Sequence, residues 1–273
     1  MVKQIVLISV IVVVVSIALM YLFQRYLIYY PSRKTPHLND YDAKDMRVIT
    51  LHTQDGLELT SWYRPANENQ PTLLYLHGNA GNIGDRMSLV RQFMDAGLGV
   101  LLLEYRGYGG NKGEPTEPGF YEDGRAGMRF LQQQGIQNEQ IALYGESLGS
   151  GVATKMASEH PVCAVILQSA YTSLSDMTRY YYPFVWFKPW DRFDSMQRIQ
   201  TINAPLLLLH GLKDEVVPYS QGLALFQHAL EPKKMLSFKL DGHNNIWNAP
   251  GFSEQVIRFI ETQCGRKNHK NEG

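Results

Sequence analysis

Ser147 stands at the centre of Gly145-Glu146-Ser147-Leu148-Gly149, after the apolar run Ile141-Ala142-Leu143-Tyr144 and before a helix-like stretch from Ser150 to His160. A serine on so tight a strand-to-helix turn presents its hydroxyl to a substrate, and flanking glycines let strand and helix close up around a strained backbone. Two other residues suit the same chemistry. Asp214 follows Leu206-Leu207-Leu208-Leu209-His210-Gly211, apolar enough for a strand buried on both faces. His243 lies in Asp241-Gly242-His243-Asn244-Asn245, a glycine-flanked loop after the strand-like run that ends at Leu240. A hydroxyl, an imidazole and a carboxylate make an activated nucleophile, in which the base takes the hydroxyl proton and the acid orients the base. That chemistry is acyl transfer through a covalent serine ester, and it needs no cofactor. Singly, each residue has a plainer reading: a turn serine, a turn aspartate before Val216-Val217-Pro218, a solvated loop histidine. Three such residues, each at a strand end, favour one shared site.

Positioning them requires a sheet whose strand ends converge. Met46–Thr53 and Leu57–Arg64, joined at Asp55-Gly56, read as an antiparallel hairpin. Strand and helix patterns then alternate: Thr72–His77, a helix near Ile83–Ala96, Val100–Tyr105, a helix near Tyr121–Gln134, Ile141–Tyr144 and the helix after Ser147. Ala164–Gln168, Pro205–His210, a helix near Ser220–Leu230, Met235–Leu240 and a helix near Ser253–Gln263 complete the series. This pattern predicts an α/β fold with a mostly parallel, doubly wound sheet and one antiparallel edge. Residues 169–203 break the rhythm and hold the aromatic run Tyr180-Tyr181-Tyr182-Pro183-Phe184-Val185-Trp186-Phe187-Lys188-Pro189-Trp190. Such a segment is either a connector packed on the core or a small cap over the site. The cap reading puts Trp186 and Trp190 in an apolar acyl pocket.

The order serine, aspartate, histidine is that of the α/β-hydrolase fold, and the chain resembles that superfamily from about Val48 to Cys264. The motifs are LHGNAGN at Leu76–Asn82, YRGYG at Tyr105–Gly109, YGESLG at Tyr144–Gly149, HGLKDEVVP at His210–Pro218 and DGHN at Asp241–Asn244. Within the superfamily it looks most like the membrane-anchored, serine-aminopeptidase-like branch that includes protein-depalmitoylating hydrolases. The resemblance implies nucleophile Ser147, acid Asp214 and base His243. In this fold the oxyanion is held by backbone N–H groups of the residue after the nucleophile and of an earlier loop, here Leu148 and Asn79, with Ala80 as the alternative to Asn79. His77 reads as a structural residue closing that loop. Glu104, Asn111 and Asn245 depart from the commoner family residues without touching the triad.

The first thirty residues differ in kind. Ile5–Phe23 carries no charge, and at about 1.5 Å per residue it reaches close to 30 Å as a helix, enough to span a bilayer core. Ser16-Ile17-Ala18 has the spacing of a signal-peptide cleavage site, but the apolar run continues past it, which favours an uncleaved single-pass anchor. Tyr21, Phe23, Tyr26, Tyr29 and Tyr30, with Arg25, read as an interfacial belt. Lys3 and the amino terminus balance Arg25, Arg33 and Lys34, so charge fixes no orientation. Residues 31–264 then form the hydrolase domain and 265–273 a solvated tail.

Composition excludes other classes. Lys plus Arg equal Asp plus Glu at 26 each, with no basic stripe for a nucleic acid. The eight histidines are dispersed, against a metal site. Gly107, Gly109, Gly110 and Gly113 match no phosphate-loop spacing and read as a surface loop beside the site. Cys163 and Cys264 are enough for one disulfide, which nothing in the sequence demands. The favoured partners are an acyl substrate, small or lipid, and a membrane. A peptidase or amidase is the runner-up, and a membrane-tethered binding scaffold with a silent triad is the reading from another class. No sequence feature sets an oligomeric state.

Overall fold

The computed structural model describes residues 2–185 and 187–265. Trp186 and residues 266–273, most of the expected tail, lie outside the described residues. Helix α1 (Val2–Leu22) has a mean hydropathy of 3.1 over its best window and buries none of its residues against the rest of the chain, so it is long and apolar enough to cross a membrane. The helix breaks at Phe23. A short helix α2 (Gln24–Ile28) and a two-residue strand β1 (Tyr30–Pro31) follow.

Strands β2 (Arg47–His52) and β3 (Glu58–Arg64) form the expected hairpin. After them come β4 (Thr72–Leu76), the short β5 (Ala80–Gly81), α3 (Met87–Asp95), β6 (Gly99–Leu103), α4 (Glu117–Gln133) and β7 (Ile141–Glu146). Then follow α5 (Leu148–Glu159), β8 (Ala164–Gln168), α6 (Leu174–Tyr181), α7 (Ser195–Ile199), β9 (Leu206–Gly211), α8 (Tyr219–His228), β10 (Lys233–Phe238) and α9 (Phe252–Cys264). The main sheet has the order β10-β9-β8-β7-β4-β6-β3-β2, parallel from β10 to β6 and antiparallel at the β3–β2 edge.

Side chains alternate across the strands and so fill two cores, one on each face. Leu73 and Tyr75 of β4 join Val90 and Phe93 of α3 and Val256 and Ile260 of α9, while Leu74 and Leu76 join Val152 and Met156 of α5. Burial on both faces is why β7 and β9 read as unbroken apolar runs.

Some boundaries differ from the pattern-based expectation, each for a local reason. Asn82 caps a single 3-10 turn, Ile83–Arg86, before α3 begins at Met87. Helix α4 starts at Glu117, four residues earlier than periodicity suggests, because the Thr116 hydroxyl accepts from Gly119 N–H and Pro118 suits a first turn. The segment 169–203, which breaks the strand–helix rhythm, holds two short helices, α6 and α7. Two further readings are corrected. Tyr105, Arg106, Tyr108 and Gly109 are buried, so the YRGYG end of the glycine segment is an internal turn, while Gly110, Lys112 and Gly113 are exposed as a surface loop. Arg106 holds the turn there by hydrogen bonds to buried Asp123 and to Asp55. Tyr29, expected in the interfacial belt, is buried against Phe120 with its hydroxyl on Asp191. Cys163, just before β8, is disulfide-bonded to Cys264 at the end of α9.

Candidate active site

Ser147 occupies the turn between β7 and α5 with φ 49° and ψ −116°, a strained left-handed conformation for a residue with a side chain. The glycines on either side are sterically required. A Cβ on Gly149 would lie 2.0 Å from the Leu76 carbonyl oxygen, and one on Gly145 would lie 2.6 Å from Ser150 Cα. The Ser147 N–H donates to Gln168 O (2.8 Å), which fixes the turn against β8.

The three sequence-predicted residues meet. His243 Nε2 is 3.0 Å from Ser147 Oγ, and His243 Nδ1 is 2.8 Å from Asp214 Oδ2. Asp214 Oδ1 accepts from the backbone N–H groups of Val216 (2.9 Å) and Val217 (2.6 Å). Burial alone would raise the Asp214 carboxyl, but His210, His243 and the Val217 amide outweigh it and hold it well below the usual carboxylate range. Asp214 is therefore an anion beside the imidazole. The histidine loop is fixed in turn: Asp241 O accepts from Lys213 N–H (3.0 Å), and Asn245 Oδ1 accepts from Gly242 N–H (2.7 Å). A Cβ on Gly211 would lie 2.3 Å from Asp241 O, so β9 passes this loop only as glycine.

His77 and His210 are fully buried; His77 lies away from this chain of hydrogen bonds, whereas His210 Nε2 lies 3.4 Å from Asp214 Oδ2. His77 Nε2 lies 3.0 Å from Glu104 Oε1 and its Nδ1 2.7 Å from Gly78 O, while His210 Nε2 donates to Val217 O (2.9 Å). Glu104 Oε2 also accepts from Ile83 N–H (3.0 Å), tying both ends of the 77–83 loop to one carboxylate. In the sequence Glu104 stands out only as a departure from the commoner family residue. Its signal was position, a strand-end acid next to the strand carrying the loop.

Leu148 is the first residue of α5, so its N–H precedes the intrahelical ladder. Among the described residues, neither the Leu148 nor the Asn79 N–H donates to a backbone carbonyl outside helices and strands. Beneath the serine is a cluster that sequence reading missed. Arg86 donates to both oxygens of Glu146 (3.0 and 3.2 Å) and Tyr75 Oη donates to Glu146 Oε2 (2.9 Å). Burial pushes the Glu146 carboxyl up, yet Arg86 outweighs it and keeps the group ionised. A cavity of about 280 Å³ opens beside this cluster, between Ala80, Arg86, Asn244 and Trp247.

The aromatic segment divides. Tyr181 Oη donates to the Glu215 and Val216 carbonyls (2.9 and 2.8 Å), which ties α6 to the turn carrying Asp214. Trp190 instead packs edge-on against Tyr21 with the Arg25 guanidinium 5.3 Å from its ring, at the junction with the N-terminal helices. Trp186, the other expected pocket residue, lies outside the described residues.

Comparison with known proteins gives a consistent picture. A family model for the alpha/beta hydrolase fold matches residues 71–186. An uncharacterized Mycobacterium tuberculosis protein, Rv2307c, is 35% identical over 245 residues, covering 87% of each chain. The human alpha/beta hydrolase domain-containing protein 17B is 30% identical, covering 85% of this chain and 84% of its own. Among solved structures, the Pyrococcus furiosus esterase Pf2001 superposes with a TM-score of 0.70 at 20% identity, covering 87% of this chain and 98% of that one.

Proposed function

The chain belongs to the α/β-hydrolase family, and from that premise we propose that it is a serine hydrolase, held to a membrane by α1, that cleaves acyl esters or thioesters with hydrophobic acyl groups. The observation that carries the reading is the continuous hydrogen-bond path from Ser147 Oγ through His243 to Asp214 at 3.0 and 2.8 Å. In the proposed reaction His243 Nε2 accepts the Ser147 proton as Oγ attacks the acyl carbonyl. Anionic Asp214 holds Nδ1–H and stabilises the imidazolium. The N–H groups of Asn79 and Leu148 hold the oxyanion, the alcohol or thiol leaves with the proton from His243, and water releases the acyl group by the same steps.

Two features support a lipid-borne acyl group. One is α1, apolar enough to keep the domain at a bilayer surface. The other is a cavity of about 320 Å³ at the end of that helix, lined by Leu22, Arg25, Tyr26, Tyr29 and Trp190, where a chain drawn from the bilayer meets aromatic faces and cationic groups. The cavity beside Asn244 and Trp247, where Arg86 and Ser88 add polar groups to a partly apolar wall, suits the leaving group.

The test is fluorophosphonate labelling of the full-length protein, followed by kcat/KM on esters, thioesters and aminoacyl amides of increasing chain length. Labelling at Ser147 and a kcat/KM that rises with acyl length on esters or thioesters are expected. A probe that ignores Ser147 overturns the serine-hydrolase reading. A flat length profile with preferred amide cleavage replaces the lipid-acyl substrate with a peptide one.

A further inference from the structure

Of the two N–H groups proposed to hold the oxyanion, Leu148 is fixed locally by the Ser147 turn. Asn79 sits in a loop, and besides the Tyr108 hydroxyl, which donates to Asn79 O (2.8 Å), what fixes it arrives from the segment just after α1. The Asn79 side-chain Nδ2–H donates to Ile28 O (2.7 Å), and Tyr30 N–H donates to Asn79 O (3.0 Å). Ser32 N–H donates to Gly81 O (3.0 Å), so β1 runs as a parallel two-stranded ladder along β5. Asn79 is thus gripped at its side chain and its carbonyl by residues 28–30.

That segment is itself clamped. Arg25 donates to both oxygens of Asp191 (2.8 and 3.2 Å), Tyr29 Oη donates to the same carboxylate (3.0 Å), and Trp190 N–H donates to Gln24 Oε1 (2.7 Å). Asp191 is 1% exposed, so its charge is met by these partners and by Glu117 N–H. A mere linker between anchor and enzyme would need none of this.

We propose that residues 28–32 are a positioning strap that aims the Asn79 N–H at the reacting oxygen, with the Tyr30 N–H and the Asn79 side chain as its working contacts. The proposal rests on the reading of Ser147 as nucleophile and Asn79 as oxyanion donor. Its two working contacts act through Asn79 and touch no substrate; Tyr29 and Pro31 of the strap line the cavity assigned to a long acyl chain, so the assay uses a short soluble ester. Because a misaimed donor weakens the transition state and leaves ground-state binding intact, its loss falls on kcat.

The experiment uses the full-length protein in one detergent, with Tyr30→Pro, Tyr30→Ala, Asn79→Asp and Ser147→Ala. Tyr30→Pro deletes the N–H and Tyr30→Ala keeps it. Asn79→Asp sets an acceptor against Ile28 O in place of a donor. Measured are kcat and KM on a short soluble ester, the affinity for a trifluoromethyl ketone, which forms an oxyanion with serine, and the affinity for the matching alcohol, which does not. Tyr30→Pro and Asn79→Asp are expected to lose about 10- to 100-fold in kcat, with KM within twofold, an equal loss of ketone affinity and retained alcohol affinity. Tyr30→Ala is expected to fall no more than threefold. Should Tyr30→Pro fail to fold, Asn79→Asp alone decides. Variants that keep kcat within twofold, or that lose ketone and alcohol affinity in parallel, overturn the strap. If Ser147→Ala itself keeps its turnover, the hydrolase reading fails instead.

Discussion

The two halves of the candidate site are built by different means. On one side Ser147, Asp214 and His243 each sit at the C-terminal end of a strand, and adjacent residues fix them: glycines that a Cβ would clash with, backbone N–H groups of 216 and 217, the Lys213–Asp241 contact. On the other side the Asn79 loop is fixed from afar, by Ile28 and Tyr30, by Glu104, and by Tyr108, whose hydroxyl donates to Asn79 O (2.8 Å). Parallel strands bring their ends together through the sheet itself, whereas a loop beyond a strand end has to be tied down by whatever passes it. The triad half is therefore locally determined, and the oxyanion half depends on contacts distant in sequence.

The largest effects should come from the locally determined half. Ser147→Ala and His243→Ala are each expected to lower kcat by about 10⁴- to 10⁶-fold, with the double variant no worse than either single one, because the residues act as a unit. Asp214→Asn should fall in the same range. A near wild-type Asp214→Asn beside an inactive Asp241→Asn would move the acid to the other aspartate.

Next in size is a change that should touch neither half. The Cys163–Cys264 bridge closes 101 residues at the end of the sheet opposite the site. Replacing both cysteines by alanine should lower stability by about 2–5 kcal/mol by relaxing the unfolded chain, with kcat on a soluble ester unchanged below the melting transition. A fall in kcat well below that transition would mean the bottom of the sheet also sets the geometry of its top.

Smaller still, Tyr108→Phe removes one of the two donors to Asn79 O. A loss of about 1 kcal/mol, roughly fivefold in kcat, is expected with KM unchanged. No loss would leave the strap as the main restraint on that carbonyl.

The smallest effect concerns the turn that carries Tyr108. Arg106 holds the Asp55 carboxyl down at about 2 against its ordinary 3.8. The folded value is the lower one, so this contact stabilises the fold above the ordinary value and is lost as pH falls through that window. Burial pushes the neighbouring Asp123 the other way, up to about 6, so its contribution is present in acid and lost as pH rises. Melting temperatures between pH 4 and pH 2 should drop less steeply in Asp55→Asn than in the unaltered protein, by a small margin because Asp55 is half exposed. An unchanged slope would remove Asp55 from the set of contacts that matter.

The same division explains what the amino-acid sequence revealed. Gly145, Gly149, Gly211 and Gly242 stand next to the residues they serve, and the strand runs before Ser147 and Asp214 carry their burial as composition, so the fold and the meeting of the three residues were legible. Ile28 and Tyr30 act on Asn79 through backbone groups, which leave no trace in residue type. Tyr29 has an apolar ring and a hydroxyl, which suit a membrane interface and a buried carboxylate equally, and only its contact with Asp191 distinguishes the two. The start of α4 had a signal, Thr116 followed by Pro118, that hydrophobic periodicity overrode.

The cysteine pair has a second consequence, concerning geography. Disulfides persist where the surroundings are oxidising and are kept open in reducing cytosol. With α1 as the proposed anchor, a bridge that lies entirely C-terminal to it marks which face of the membrane the domain occupies. In intact cells, a thiol-alkylating reagent added on denaturation leaves both cysteines unmodified if the domain faces the oxidising side, and labels both if it faces the reducing one. For the proposed lipid-borne substrate, that one reading also names the leaflet that would supply it.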